Sequence, residues 1–178
     1  MRDRDRVVLV SHCVLNQSVR ARWGSGGASR KKAMLVDVVD ALRELGVGII
    51  QMECPELRLY GNPRQPGTKD DYDTPEFRRI CSKIAVWACN LMMEPTTEDA
   101  RVDLIAVLGV EGSPSCGVGR TPRTVNGVQV DAMERGLLME ALETEMAERD
   151  LKAQFIGMSL REEEQEDRLR RLVAICSG

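Results

Sequence analysis

The stretch "GVEGSPSCGVGRT", residues 109–121, follows an apolar run, "DLIAVL", with the composition of a buried strand. The run gives way to Ser113-Pro114-Ser115-Cys116-Gly117, where small polar residues surround a thiol. Two more cysteines sit in comparable places: Cys13 closes "RVVLVSHC" and Cys54 closes "GVGIIQMEC", both β-branched apolar runs. In an open α/β sheet, ligands bind in the crevice beyond the carboxyl ends of the strands. Neighbouring strands lie only about 4.8 Å apart, so three strand-end thiols could meet on one small inorganic centre. Packing of a small apolar side chain is the competing reading for any one of them. Three in register, with Pro55 and Glu56 after Cys54 and with Pro114 and Gly117 about Cys116, weigh against packing alone.

The elements that must position these thiols follow from hydrophobic periodicity. Residues 6–13, 46–54, 102–110 and 153–159 read as strands, separated by helical patterns. The first helix, over about 30–45, gathers Leu35, Val38, Val39, Leu42 and Leu45 on one face and stops at Gly46. The second opens with Thr74 as N-cap and Pro75 at the first helical position, then repeats Phe77, Ile80, Cys81, Ile84, Ala88 and Leu91. The third, over about 131–149, turns Met133, Leu137, Leu138, Ala141 and Leu142 toward the sheet. The last begins with a capping box from Ser159 to Glu162. This alternation predicts a single α/β domain over 1–178, Rossmann-like and three-layered, with a mainly parallel sheet of about four or five strands covered by helices. Cys81 and Cys89 fall on the second helix and Cys176 at a frayed C-terminal end, so these three read as structural.

Composition narrows the function. The 178 residues carry a net charge of -3 and only two each of Trp, Tyr and Phe. That excludes a bulk nucleic-acid binder and a platform of base-stacking aromatics, so no stable nucleic-acid complex is expected. The apolar stretch near the N-terminus is too short for a signal peptide or a membrane span, which makes a cytoplasmic protein, monomer or homodimer, the expectation. In that compartment the six cysteines are thiols or metal ligands rather than disulfides.

"SHCVLN", "MECPELRLYGNPRQP" and "EGSPSCG", in this order and spacing, resemble the motifs of the thiouracil desulfidase family. The resemblance spans about 11–130, with the Ser-Pro-Ser-Cys-Gly block as its most specific part. It implies a [4Fe-4S] cluster held by three cysteines, whose fourth iron is open to the sulfur of a thiolated pyrimidine. Carried onto this chain, the ligands are Cys13, Cys54 and Cys116, the catalytic carboxylate is Glu56, and its hydroxyl partner is Ser113. Asn16, Arg64 and Ser115 are the expected substrate contacts. Departures from the family pattern, "CVLNQ" and "VRARWG" among them, mark a divergent member.

The chemistry can be stated without the family. Three thiolates on three irons leave one coordination position free, the arrangement of a catalytic rather than a structural metal. Glu56, two residues from a ligand, could take a proton from an attacking water, and Ser113 could position that water. The result would be hydrolytic, non-redox desulfidation of a small thiolated heterocycle. Two other readings stay open: a non-catalytic iron-sulfur or zinc protein acting as sensor or sulfur carrier, and an α/β domain without metal. His12, the one histidine, invites a Cys3His zinc site. Strand geometry opposes it, because adjacent strand residues point to opposite faces. Finally, residues 13–32 hold five basic side chains (Arg20, Arg22, Arg30, Lys31, Lys32) and no acid, and residues 112–130 hold Arg120 and Arg123 and no acid. A basic crevice would favour an anionic ligand, with Arg64 the first candidate to hold it; solvated loop arginines are the alternative.

Overall fold

The computed structural model describes residues 5–21, 35–93 and 102–178. In chain order the elements are β1 (Asp5–Val10), α1 (His12–Leu15), α2 (Val36–Glu44), β2 (Gly48–Gln51), α3 (Pro55–Tyr60), α4 (Lys69–Tyr72), α5 (Pro75–Met93), β3 (Val102–Val110), β4 (Thr121–Val125), β5 (Val128–Ala132), α6 (Leu137–Glu148), β6 (Gln154–Met158) and α7 (Glu162–Ser177). Strands β2-β1-β3-β6 form a parallel four-stranded sheet in that order. Period-two alternation divides its side chains between two cores. Val8, Val10, Ala106 and Leu108 pack with Val38 and Leu42 of α2 and Leu172 of α7 on one face. Leu9 and Val107 pack with Phe77 and Ile84 of α5 and Leu138 and Leu142 of α6 on the other. The result is the expected Rossmann-like, three-layered α/β arrangement. Fully buried leucines such as Leu9, Leu42 and Leu108 contribute about 1.5–3 kcal/mol each.

The order β2-β1-β3 reverses direction at β1, so the crevice between the carboxyl ends of β1 and β3 is the topological switch point of the sheet. Cys13 follows β1, Cys116 follows β3 and Cys54 follows β2.

Several sequence expectations are corrected here. Residues 131–132 do not open the third helix; they end β5, which pairs antiparallel with β4 in a separate two-stranded sheet, turning on Asn126 and Gly127 at φ 51° and 76°. Such a turn needs positive φ at both central residues, which Asn-Gly supplies. Helix α6 starts only at Leu137, and Met133, expected to face the sheet, is 85% exposed. Leu91 is also exposed, one turn before the end of α5. The last helix starts at Glu162 with Arg161 as N-cap, and Ser159 instead accepts the backbone N–H of Arg161 at 3.1 Å. Cys176 is not frayed but fully buried under α2, its carbonyl held by Arg6 Nη1 at 2.8 Å. The expected start of the first helix at 30–34 lies outside the described residues. Thr74 is confirmed as a cap, accepting Phe77 N–H at 3.2 Å, and Gly46 closes α2 at φ 65°.

The start of α6 fixes the thiol loop. The first N–H groups of a helix have no partner within it. Here Gly136 N donates to Gly117 O (2.8 Å), Leu137 N to Pro114 O (3.0 Å) and Leu138 N to Ser115 O (2.9 Å). The approach is so close that a Cβ on Gly136 would stand 2.5 Å from the carbonyl carbon of Ser115. Gly136→Ala is therefore expected to destabilise the protein by about 1–3 kcal/mol through overpacking. The check is the urea midpoint at unchanged m-value, and an unaltered midpoint would show that loop and helix do not meet this way.

Candidate active site

Residues 113–117 leave β3 as a tight loop closed on itself. Val110 N donates to Cys116 O (2.9 Å) and Gly117 N to Ser113 O (3.0 Å). The Ser113 hydroxyl accepts Cys116 N–H at 3.0 Å and Ser115 N–H at 3.4 Å. Glu111, buried at the end of β3, anchors the descending limb by accepting the N–H groups of Gly119 and Arg120 at 2.9–3.2 Å. Cys54 is the N-cap of α3; its sulfur accepts Leu57 N–H at 3.4 Å, and Pro55 fills the first helical position. Glu56, in the first turn, is thereby directed into the crevice. His12 and Cys13 lie on α1, which starts directly after β1, so the strand rule that separated them does not apply. His12 Nδ1 meets Gln51 Nε2 at 2.6 Å, on the far side of Cys54 from the cavity.

These elements enclose a cavity of about 150 Å³ whose wall includes Cys13, Cys54 and Cys116 together with Arg20, Glu56, Arg64, Ser113 and Ser115. Seven of the eight site residues named from the sequence thus come together, from positions 13 to 116 of the chain. Asn16 does not line the cavity: its side chain accepts Ser18 N–H at 3.1 Å in a local turn. The carboxylate of Glu56 is 6% exposed and bound from two sides. On one, Ser115 Oγ donates to Oε1 at 2.6 Å and Ser113 Oγ at 3.4 Å. On the other, Arg64 reaches Oε2 with Nε at 3.3 Å and Nη2 at 3.2 Å, while its Nη1 holds Val19 O at 2.6 Å. Ser115, not Ser113, is the close hydroxyl. Arg64, expected to face the ligand, is bound to Glu56.

Two of the arginines expected in a basic crevice are engaged elsewhere. Arg120 pairs with Glu164 and Asp131, and Arg123 with Glu134 and Asp70, away from the cavity. Arg22, Arg30, Lys31 and Lys32 lie outside the described residues. Of the counted cations, Arg20 reaches the wall. The sequence reading missed the outer wall, Pro122 and Gln129 of the β4–β5 hairpin. Only the Asn-Gly pair between alternating residues could have signalled it. The hairpin is pinned by Asp70, which accepts Thr124 N–H at 2.8 Å and Arg123 Nη1 at 2.7 Å. Lys69, 1% exposed, joins Glu134 (3.2 Å), Arg135 O (2.7 Å) and Glu140 (2.5 Å) beneath it.

All three site thiols are pushed up to about 12. Burial is the main cause, and mutual repulsion adds to it: Cys13 is raised by Cys54, Cys54 by Cys116 and Cys116 by Cys13. Cys81, behind Cys116 in the core, is raised for the same reason.

No family model matches the chain. The three-layered α/β fold is similar to that of a solved [4Fe-4S]-dependent thiouracil desulfidase, TudS, with a TM-score of 0.51 and 21% identity over 97% of this chain and 99% of that one. The chain belongs to the same family as the uncharacterized protein MJ0003 of Methanocaldococcus jannaschii, 32% identical over 135 residues, which is 76% of this chain and 74% of that protein.

Raised thiol pKa values give a signed prediction for the metal-free protein. Below about pH 9, the ordinary value, these thiols are neutral in both folded and unfolded chains, and their full contribution to stability is present. As pH rises from 9 toward 12, the unfolded chain loses these protons first, so urea midpoints should fall across that window. At pH 8 iodoacetamide should label Cys13, Cys54 and Cys116 about a thousandfold more slowly than in the unfolded chain, following the thiolate fraction. Equal labelling in both states would contradict the burial described.

Proposed function

We propose that the protein removes sulfur from a thiolated heterocycle, a thiopyrimidine base or nucleotide, with a [4Fe-4S] cluster held by Cys13, Cys54 and Cys116. The observation that carries this reading is a buried carboxylate, Glu56, braced by Ser115 and Arg64 inside the cavity that the three cysteines also line. The donor set is all thiol, which suits iron-sulfur centres and zinc and disfavours hard cations. Among the described residues, no three His, Cys, Asp or Glu side chains are close enough to share one ion. When bound, such a cluster would supply an iron with a free position, a thiophilic Lewis acid for the thiocarbonyl sulfur.

The chain's own residues do the rest. Glu56 Oε1 takes the proton of the water that attacks the thiocarbonyl carbon. Arg64 engages Oε2, which keeps Oε1 turned to the cavity, and its bond to Val19 O fixes the guanidinium in turn. The Ser115 hydroxyl, 2.6 Å from Oε1, relays a proton toward the departing sulfur. Ser113 holds the loop by accepting Cys116 N–H. The balance is C=S plus water giving C=O plus hydrogen sulfide, with no electrons transferred. The proposal includes a single-domain chain acting in the cytoplasm, where thiols stay reduced. Among the described residues no helix is long and apolar enough to cross a membrane.

Two tests follow. Glu56→Gln should lower sulfide release from thiolated bases by about 100-fold or more while iron and acid-labile sulfide per chain stay at the parental level. Equal turnover would refute the assignment of Glu56 as the base, and no turnover in the parent would leave a sensor or carrier. Single alanine variants of Cys13, Cys54 and Cys116 should each lose iron after anaerobic reconstitution, whereas Cys81→Ser, Cys89→Ser and Cys176→Ser should keep it. Iron loss in the second set would mean the ligands are misassigned.

A further inference from the structure

Three charged side chains stand in the described wall of the cavity: Arg20, Glu56 and Arg64. Glu56 and Arg64 are committed to each other, and Arg64 also to a backbone carbonyl. Arg20 is not. It lines the cavity with Cys13, Glu56 and Cys116, and it makes no hydrogen bond or ion pair with a described side chain. Its own stretch of sequence offers no carboxylate, since residues 13–32 contain no Asp or Glu. Burial makes the charged form of Arg20 costly enough to pull its pKa below the usual arginine value. A half-buried guanidinium carries five donors in a planar fork and is stabilised only when acceptors meet them.

The place of Arg20 in the cavity wall limits what those acceptors are. Arg20 shares the cavity with the three thiols and with Glu56, so a ligand bound there lies within reach of its donors. The planar donors of arginine match a carbonyl oxygen or a carboxylate in the plane of a ring. We propose that Arg20 is the residue that anchors the substrate through an acceptor other than its sulfur, a ring carbonyl oxygen or a carboxylate. The assignment rests on the desulfidase reading for its orientation, but not for its test. It also revises the place of the anion-binding arginine: Arg64 serves the base, and Arg20 serves the ligand.

Sulfur-free rings separate binding from turnover. Equilibrium dialysis of uracil, with two ring carbonyls, and of 2-pyridone, with one, is carried out on the reconstituted parent and on Arg20→Gln. The parent should hold uracil about tenfold to a hundredfold more tightly than 2-pyridone, the worth of a charge-assisted hydrogen bond. Arg20→Gln should bind the two rings alike, with iron content, cluster absorption and urea midpoint at the parental level. Arg20→Lys should restore part of the preference. A parent that does not distinguish the rings, or an Arg20→Gln protein that still does, overturns the proposal. So does an equal loss for both rings accompanied by a changed cluster spectrum, which would make Arg20 a partner of the cluster. Absence of sulfide release in the parent, with ring preference intact and dependent on Arg20, would reject the desulfidase reading and leave the anchor standing.

Discussion

The docking of five residues, 113–117, onto the first turn of α6 is the contact on which the rest of the site depends. A loop leaving a buried strand carries carbonyls that must find donors, and a helix start carries N–H groups that must find acceptors. Here each solves the other's problem, at a distance that glycine at 136 permits. Cys116 and Ser115 thereby acquire fixed positions without a packed core behind every atom. The β1–β3 switch point then brings Cys13 alongside, and the capped start of α3 brings Cys54 and Glu56.

Burying Glu56 with Arg64 would ordinarily weaken a fold, because desolvating two charges outweighs their attraction unless the remaining hydrogen-bonding capacity is met. The structure meets it on both sides, with two serine hydroxyls on the carboxylate and a carbonyl on the guanidinium. Such a pair resists reorientation, which suits a group that must face one point in a small cavity. It also explains why only one of the two wall arginines remains for another role.

The four sheet strands and the helices that cover them were legible in the sequence, because runs such as "RVVLV" and "DLIAVL" satisfy the same pattern locally and in the fold. The crevice thiols were legible for a related reason: strand ends in a parallel sheet face one way. What was not legible depended on partners far away in the chain. Nothing near Arg64 says that Val19 will hold it, and nothing near Arg123 says that Asp70 and Glu134 will turn it from the crevice. The hairpin was hidden differently. Its alternation is weak, since Val125, Val128 and Val130 face outward, and the apolar residues from Met133 onward extend a helical rhythm across a strand. Only the Asn126-Gly127 pair marked the turn.

The hairpin that supplies Pro122 and Gln129 is fastened by ion pairs and backbone hydrogen bonds rather than seated in either core. Its residues are thus largely uncoupled from those that hold the sheet together and from the loops that carry the thiols. Substitutions in that wall should therefore cost little in folding while the crevice loops stay as they are. The part of the cavity free to change and the part that folds around the thiols are different pieces of the chain.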